Sequence, residues 1–180
     1  MARSGSSDTK ARIQQVAREL FARQGVQQTS LRQIAERLGI TKPALYYHFA
    51  SREDLLNSII QPLVDDVEAF LAEREPAGRQ EPRRLLEDYF DLMYRNREIS
   101  TMVVRELTAL AYLDLGTRLL DWRRRVNALL VGPQPDLESE VRAVAAVGGL
   151  VDCTVAFPDV PADRLRPIAV GTACAALGID

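Results

Sequence analysis

The sequence predicts an all-α protein of about nine helices, on three observations. Apolar residues recur at helical spacing through most of the 180 residues. Capping and breaking residues (Ser, Thr, Asp, Gly, Pro) punctuate these stretches where helices start and stop. No stretch alternates convincingly as a strand, and there is neither a repeat nor a low-complexity tract. With 47% hydrophobic and 27% charged residues, the composition is that of an ordinary folded protein.

The first helix is expected to follow Asp8, whose carboxylate caps its start. It carries Ile13, Val16, Ala17, Leu20 and Phe21 on one face and stops at Gly25. Ser30 opens a second helix, with Gln33 at capping-box spacing and Leu31, Ile34, Ala35 and Leu38 in period. Gly39 closes it. Thr41 caps a third, short helix that tolerates Pro43 in its first turn and ends near Phe49. Ser51 and Asp54 form a further capping pair for a long helix reaching about Arg74, with a kink expected near residues 58–62 because Pro62 lacks a backbone donor. Pro76, Gly78 and Pro82 mark a loop. Later helices are predicted at about 83–96, 98–112, 115–131, 137–156 and 161–177, separated by Gly116, by residues 132–135 and by residues 158–161.

Charge divides the chain unevenly. Residues 1–57 hold nine basic against five acidic side chains, a net +4, which leaves −6 on the remainder of a chain of net charge −2. A basic head on an acidic body suits a protein that approaches phosphates with one end, although a fluctuation over so short a stretch gives the same balance. Cys153 and Cys174 lie in apolar surroundings without metal-ligand spacing and are read as small buried thiols rather than a disulfide or zinc site. Neither a signal peptide nor a membrane span is read from the sequence, so a cytoplasmic protein is expected.

The second and third helices, joined by a short turn containing Gly39, have the form of a helix-turn-helix, in which the second member enters the major groove of DNA. Spacing alone equally fits a short helical hairpin in a bundle. The residue types decide for DNA: Leu45 and Phe49 face the core, which leaves Lys42, Ala44, Tyr47 and His48 on other faces. Lys42 reaches phosphate or guanine, Tyr46 donates its hydroxyl to phosphate, Ala44 or Tyr47 lies against a thymine methyl, and Arg32 reaches a guanine edge. Ser30 and Arg52 stand at helix starts, where backbone amides attract phosphate. Tyr46 or Tyr47 as a core residue remains the competing reading. A flexible tail and a minor-groove arm both fit Arg3, and Arg123, Arg124 and Arg125 read as a solvated face.

Residues 12–56, above all Thr29 to Phe49 followed by Ser51-Arg52-Glu53-Asp54-Leu55-Leu56, resemble the DNA-binding head of the TetR family of bacterial regulators. The resemblance implies that Arg32, Lys42, Pro43, Ala44, Tyr47 and His48 approach bases, that Ser30, Tyr46 and Arg52 hold phosphates, and that Thr41 belongs to the same DNA-facing set. Ala50 departs from the family, which often has a basic residue or glycine there, and Arg52 replaces its more frequent lysine. The expected division is a head over 1–50 and a ligand-binding and dimerisation body over 51–180.

The resemblance further implies a homodimer on a palindromic double-stranded operator, paired through the last two helices. The candidate interface is Val144, Val147, Gly148, Val151, Val170, Ala173 and Leu177, and periodicity alone equally allows a buried hairpin within one subunit. A small-molecule effector pocket is implied as well, with Tyr89, Met93, Met102, Arg105, Thr108, Tyr112, Trp122 and Phe157 as candidate lining, residues that any helical core would also contain. The leading expectation is a repressor released from its operator by that ligand. The alternative is a helical small-molecule-binding protein or enzyme whose head is only an interaction module. His48 is the only histidine, and no nucleophile with a nearby base, phosphate-cradling loop or metal cluster is legible, so no enzyme, cofactor or metal is predicted.

Overall fold

The computed structural model describes residues 3–105 and 115–179. Among them are nine α-helices: α1 (Arg3–Gln24), α2 (Leu31–Leu38), α3 (Lys42–His48), α4 (Arg52–Arg74), α5 (Pro82–Arg95), α6 (Arg97–Arg105), α7 (Leu115–Val131), α8 (Leu137–Ala156) and α9 (Ala162–Leu177), with a single 3₁₀ turn at Glu75–Ala77. No described residue is in a strand. These residues divide into two compact units, one of residues 3–62 and 102–105, the other of 63–101 and 115–179. Thr108, Tyr112 and the end of the helix expected over 98–112 lie outside the described residues.

In the first unit, local chemistry sets each helix end. Gly25 leaves α1 at φ 85° and donates to the Phe21 carbonyl at 2.9 Å. Ser30 Oγ accepts the Gln33 amide at 3.2 Å while the Gln33 side chain accepts the Ser30 amide at 2.8 Å, a complete capping box. At the other end Gly39 sits at φ 67°, and the amides of Gly39 and Ile40 close onto the carbonyls of Glu36 and Ala35. That left-handed turn admits glycine without steric cost and aims the chain into α3. Thr41 Oγ1 then accepts the Ala44 amide at 3.3 Å. Ser51 Oγ accepts the Asp54 amide, and Asp54 reaches back to the amide of Ala50, both at 3.0 Å. One expectation is corrected: α1 begins at Arg3, so Asp8 lies inside the helix instead of capping it.

The core of this unit is the predicted set of apolar faces. Ile13, Ala17 and Phe21 of α1 are buried, as are Ile34 and Ala35 of α2 and Leu55, Leu56 and Ile59 of α4. Leu45 and Phe49 are completely enclosed, and removing an aromatic ring from such a position costs about 3–5 kcal/mol. The short helix α3 makes few hydrogen bonds of its own and is held by these two anchors.

In the second unit, Phe70 and Leu71 of α4, Leu86 and Phe90 of α5, Trp122 and Val126 of α7, and the inner faces of α8 and α9 share a core. Polar clasps tie the helices together. Trp122 Nε1 donates to Glu68 at 2.7 Å, and Arg125 joins Glu68 to Glu75 at 2.9 and 2.7 Å. The Trp122 hydrogen bond, followed by that of Arg125, holds the Glu68 carboxyl below the usual carboxylate range. Arg166 of α9 grips Asp91 of α5 with two bonds of 2.9 and 3.1 Å. Cys174 is buried and Cys153 half-buried, both as free thiols.

The structure corrects the expected partner face of α8 and α9. Val147, Val170 and Ala173 pack inside their own subunit and offer a second chain no surface. Gly148, Val151 and Leu177 are half-buried. The large apolar side chains left exposed on these helices are Leu137, Val141, Val144 and Ile168, Val144 at 58% and Ile168 at 68%.

Candidate nucleic-acid interface

Buried Leu45 and Phe49 orient α3 so that its opposite surface faces solvent. Lys42, Pro43, Ala44, Tyr46 and Tyr47 are all exposed, Tyr47 at 81%, while His48 is half-buried with its ring edge-on to Tyr47 at 5.2 Å. Lys42 Nζ stands 5.6 Å from the centre of the Tyr46 ring, so charge and phenol share one patch. Neither aromatic belongs to the core.

Beside α3 lies an open hollow of about 540 Å³ lined by residues 27–32, Lys42, Tyr46 and residues 50–53. The start of α2 forms part of its wall. Helix geometry leaves the amides of Leu31 and Arg32 without an intrahelical acceptor, and no acid occupies the first turn of α2 or of α3. The start of α2 therefore presents partial positive charge to the hollow, the arrangement that receives phosphate. Ser30, Arg32, Lys42, Tyr46 and Arg52 come together around it, while Thr41 caps α3 outside its lining and Pro43, Ala44, Tyr47 and His48 lie on α3.

Arg52, the first residue of α4 and part of the hollow's lining, also has partners that its sequence reading does not include. Its Nη1 donates to the carbonyls of Val26 and Gln27 at 3.4 and 3.3 Å, and Nη2 lies 3.5 Å from Glu53. The guanidinium thus braces the loop before α2, and charge pattern alone does not disclose partners 25 and 26 residues away. Gln27, Gln28 and Glu53 also line the hollow. Gln27 and Gln28 stand in the loop before α2 and Glu53 in the first turn of α4, so only the folded unit brings them to one place.

The candidate effector lining does not form one set. Tyr89, Met93, Met102 and Trp122 are buried, whereas Arg105 and Phe157 are exposed. Burial pushes the Tyr89 phenol up to about 12. Among the described residues no group of His, Cys, Asp and Glu could hold a metal ion, and no helix is long and apolar enough to cross a membrane.

Residues 13–59 match the family model described as bacterial regulatory proteins, tetR family. The transcriptional repressor KstR2 of Rhodococcus jostii is 36% identical over 64 residues, which take in 36% of this chain but only 31% of that repressor. The transcriptional regulator TtgR of Pseudomonas putida is 27% identical over 177 residues, covering 86% of this chain and 83% of TtgR. A crystal structure of a transcriptional regulator of the TetR/AcrR type from Aquifex aeolicus superposes with a TM-score of 0.74 at 25% identity, covering 91% of this chain and 96% of the other.

Proposed function

Because the chain belongs to the TetR family of bacterial regulatory proteins, we propose that it is a homodimeric repressor. It binds a palindromic double-stranded operator with residues 1–50 and is released when a small molecule occupies residues 51–180. The observation that carries this reading is α3 itself, a helix anchored by Leu45 and Phe49 that turns Lys42, Ala44 and Tyr47 to solvent beside the positive start of α2, where the Leu31 and Arg32 amides have no intrahelical acceptor. A major groove about 12 Å wide accepts such a helix. Lys42 and Tyr46 then meet phosphate, while Ala44 and Tyr47 lie against base edges.

One short helix reads only a few base pairs, so useful specificity requires two heads at a fixed spacing, about 34 Å or a multiple of it. The exposed Val141, Val144 and Ile168 are the surface through which two copies join. An effector acts only if it binds one spacing of the heads better than the other. Tyr89, Met93 and Trp122 are the apolar groups from which its pocket is built.

Fluorescence anisotropy with the DNA flanking the protein's own gene tests the proposal. Affinity for a palindrome in that DNA should exceed that for a scrambled duplex, and log K should fall linearly with log salt. For six or more neutralised phosphates the loss between 50 and 200 mM salt is about a thousandfold. Equal affinity for the two duplexes, or binding indifferent to salt, would remove the operator reading.

A further inference from the structure

Helix α2 carries an ion pair that its own stability does not explain. Arg32 Nε donates to Glu36 Oε1 at 2.7 Å, four residues on, with both side chains largely exposed. The arginine lies in the first turn and the glutamate close to the last, so each charge opposes the helix dipole. An acid following its basic partner is also the weaker order of an i,i+4 pair. The pair therefore adds little to the helix, and its carboxylate stands next to a surface suited to phosphates.

Its effect on the arginine is specific. With Nε engaged by Glu36, Nη1 and Nη2 have no partner among the described residues. These two donors form the end-on fork that matches O6 and N7 of guanine in the major groove. We propose that Glu36 is a positioning residue that holds the Arg32 fork ready for a guanine edge. This inference rests on the operator reading above. Fixing a long side chain before binding removes an ordering cost at the moment of contact. The same carboxylate repels phosphates, which penalises every register in which Arg32 does not meet its base. Glu36 thus lowers affinity for DNA at large and sharpens the choice of sequence.

The experiment measures binding of full-length protein to its best operator and to a panel in which each base pair of the half-site is changed in turn. Arg32→Ala should flatten discrimination at one base pair per half-site, where a bidentate contact is worth about 5- to 150-fold. Glu36→Ala should cut discrimination at that same base pair by about threefold or more, leave the other positions unchanged, and slightly tighten binding to scrambled DNA. Glu36→Gln keeps an acceptor for Nε and should restore discrimination to within about twofold. A shared thermal midpoint among the variants, expected for exposed side chains, separates positioning from folding. The proposal falls if Glu36→Ala leaves that base preference intact, if it weakens all positions alike, or if Arg32→Ala changes no position, and each of these leaves the operator reading standing. A wild-type protein that prefers no sequence would end both.

Discussion

Replacing Lys42 and Tyr47 together by alanine is expected to weaken operator binding by about a thousandfold while leaving the fold and the dimer intact. The magnitude follows from symmetry. Two side chains in each of two heads make four contacts, and at about 1 kcal/mol each their loss approaches 4 kcal/mol, close to three powers of ten. The fold should tolerate the change because neither side chain contributes to the core and Leu45 and Phe49 still hold α3. What Lys42 loses is its position 5.6 Å from the Tyr46 ring, worth about 0.5–1 kcal/mol at an exposed site. Anisotropy titration gives the affinity, and circular dichroism during heating gives the midpoint. A double variant that binds the operator as the parent does would show that α3 does not touch DNA.

The second large effect belongs to the body. Val144→Glu combined with Ile168→Glu is expected to yield a folded monomer that binds the full palindrome no better than a single half-site. Both valine and isoleucine are exposed in the single chain, so a charge there costs the isolated subunit little. Between two copies the same charges would be buried against their symmetry mates, without compensation. Losing the second head removes an avidity factor of about 10²–10⁴. Sedimentation velocity reads the association state directly. A variant that still sediments as a dimer would place the interface elsewhere on the molecule.

Helix ends in the head were legible because each is fixed by a side chain acting on its near neighbours. Ser30 with Gln33, Gly39, and Thr41 with Ala44 are all local, and a local motif survives being read without its surroundings. The orientation of α3 was equally legible, since Leu45 and Phe49 are the only large apolar pair at helical spacing within a helix too short to offer another. Asp8 misled for a related reason: a capping residue marks where a helix is able to begin, and residues 3–7 hold no proline to stop it from beginning earlier.

Where two faces of one helix look alike, the pattern had nothing to separate them. Helix α8 is apolar or small nearly all round, so Val144 and Val147 are equivalent in sequence although one is exposed and the other enclosed. Arg52 posed the opposite difficulty. Its charge was evident, but its partners, the carbonyls of Val26 and Gln27, exist only once the loop before α2 has folded against the start of α4. The Arg32 and Glu36 pair shows the remaining limit, because the spacing is visible in sequence while its purpose emerges only when the guanidinium fork is seen with one side held and the other open.

Chemical footprinting of guanine N7 in the protein–operator complex asks most directly whether α3 lies in the major groove, since N7 is reached only from that side. Protection should fall in two patches on the operator, separated by one helical turn or a whole number of turns, and should disappear with the Lys42→Ala, Tyr47→Ala double variant. Bound DNA whose N7 positions stay fully reactive, or a single patch unchanged by the double variant, would mean that this helix is not the one that reads DNA.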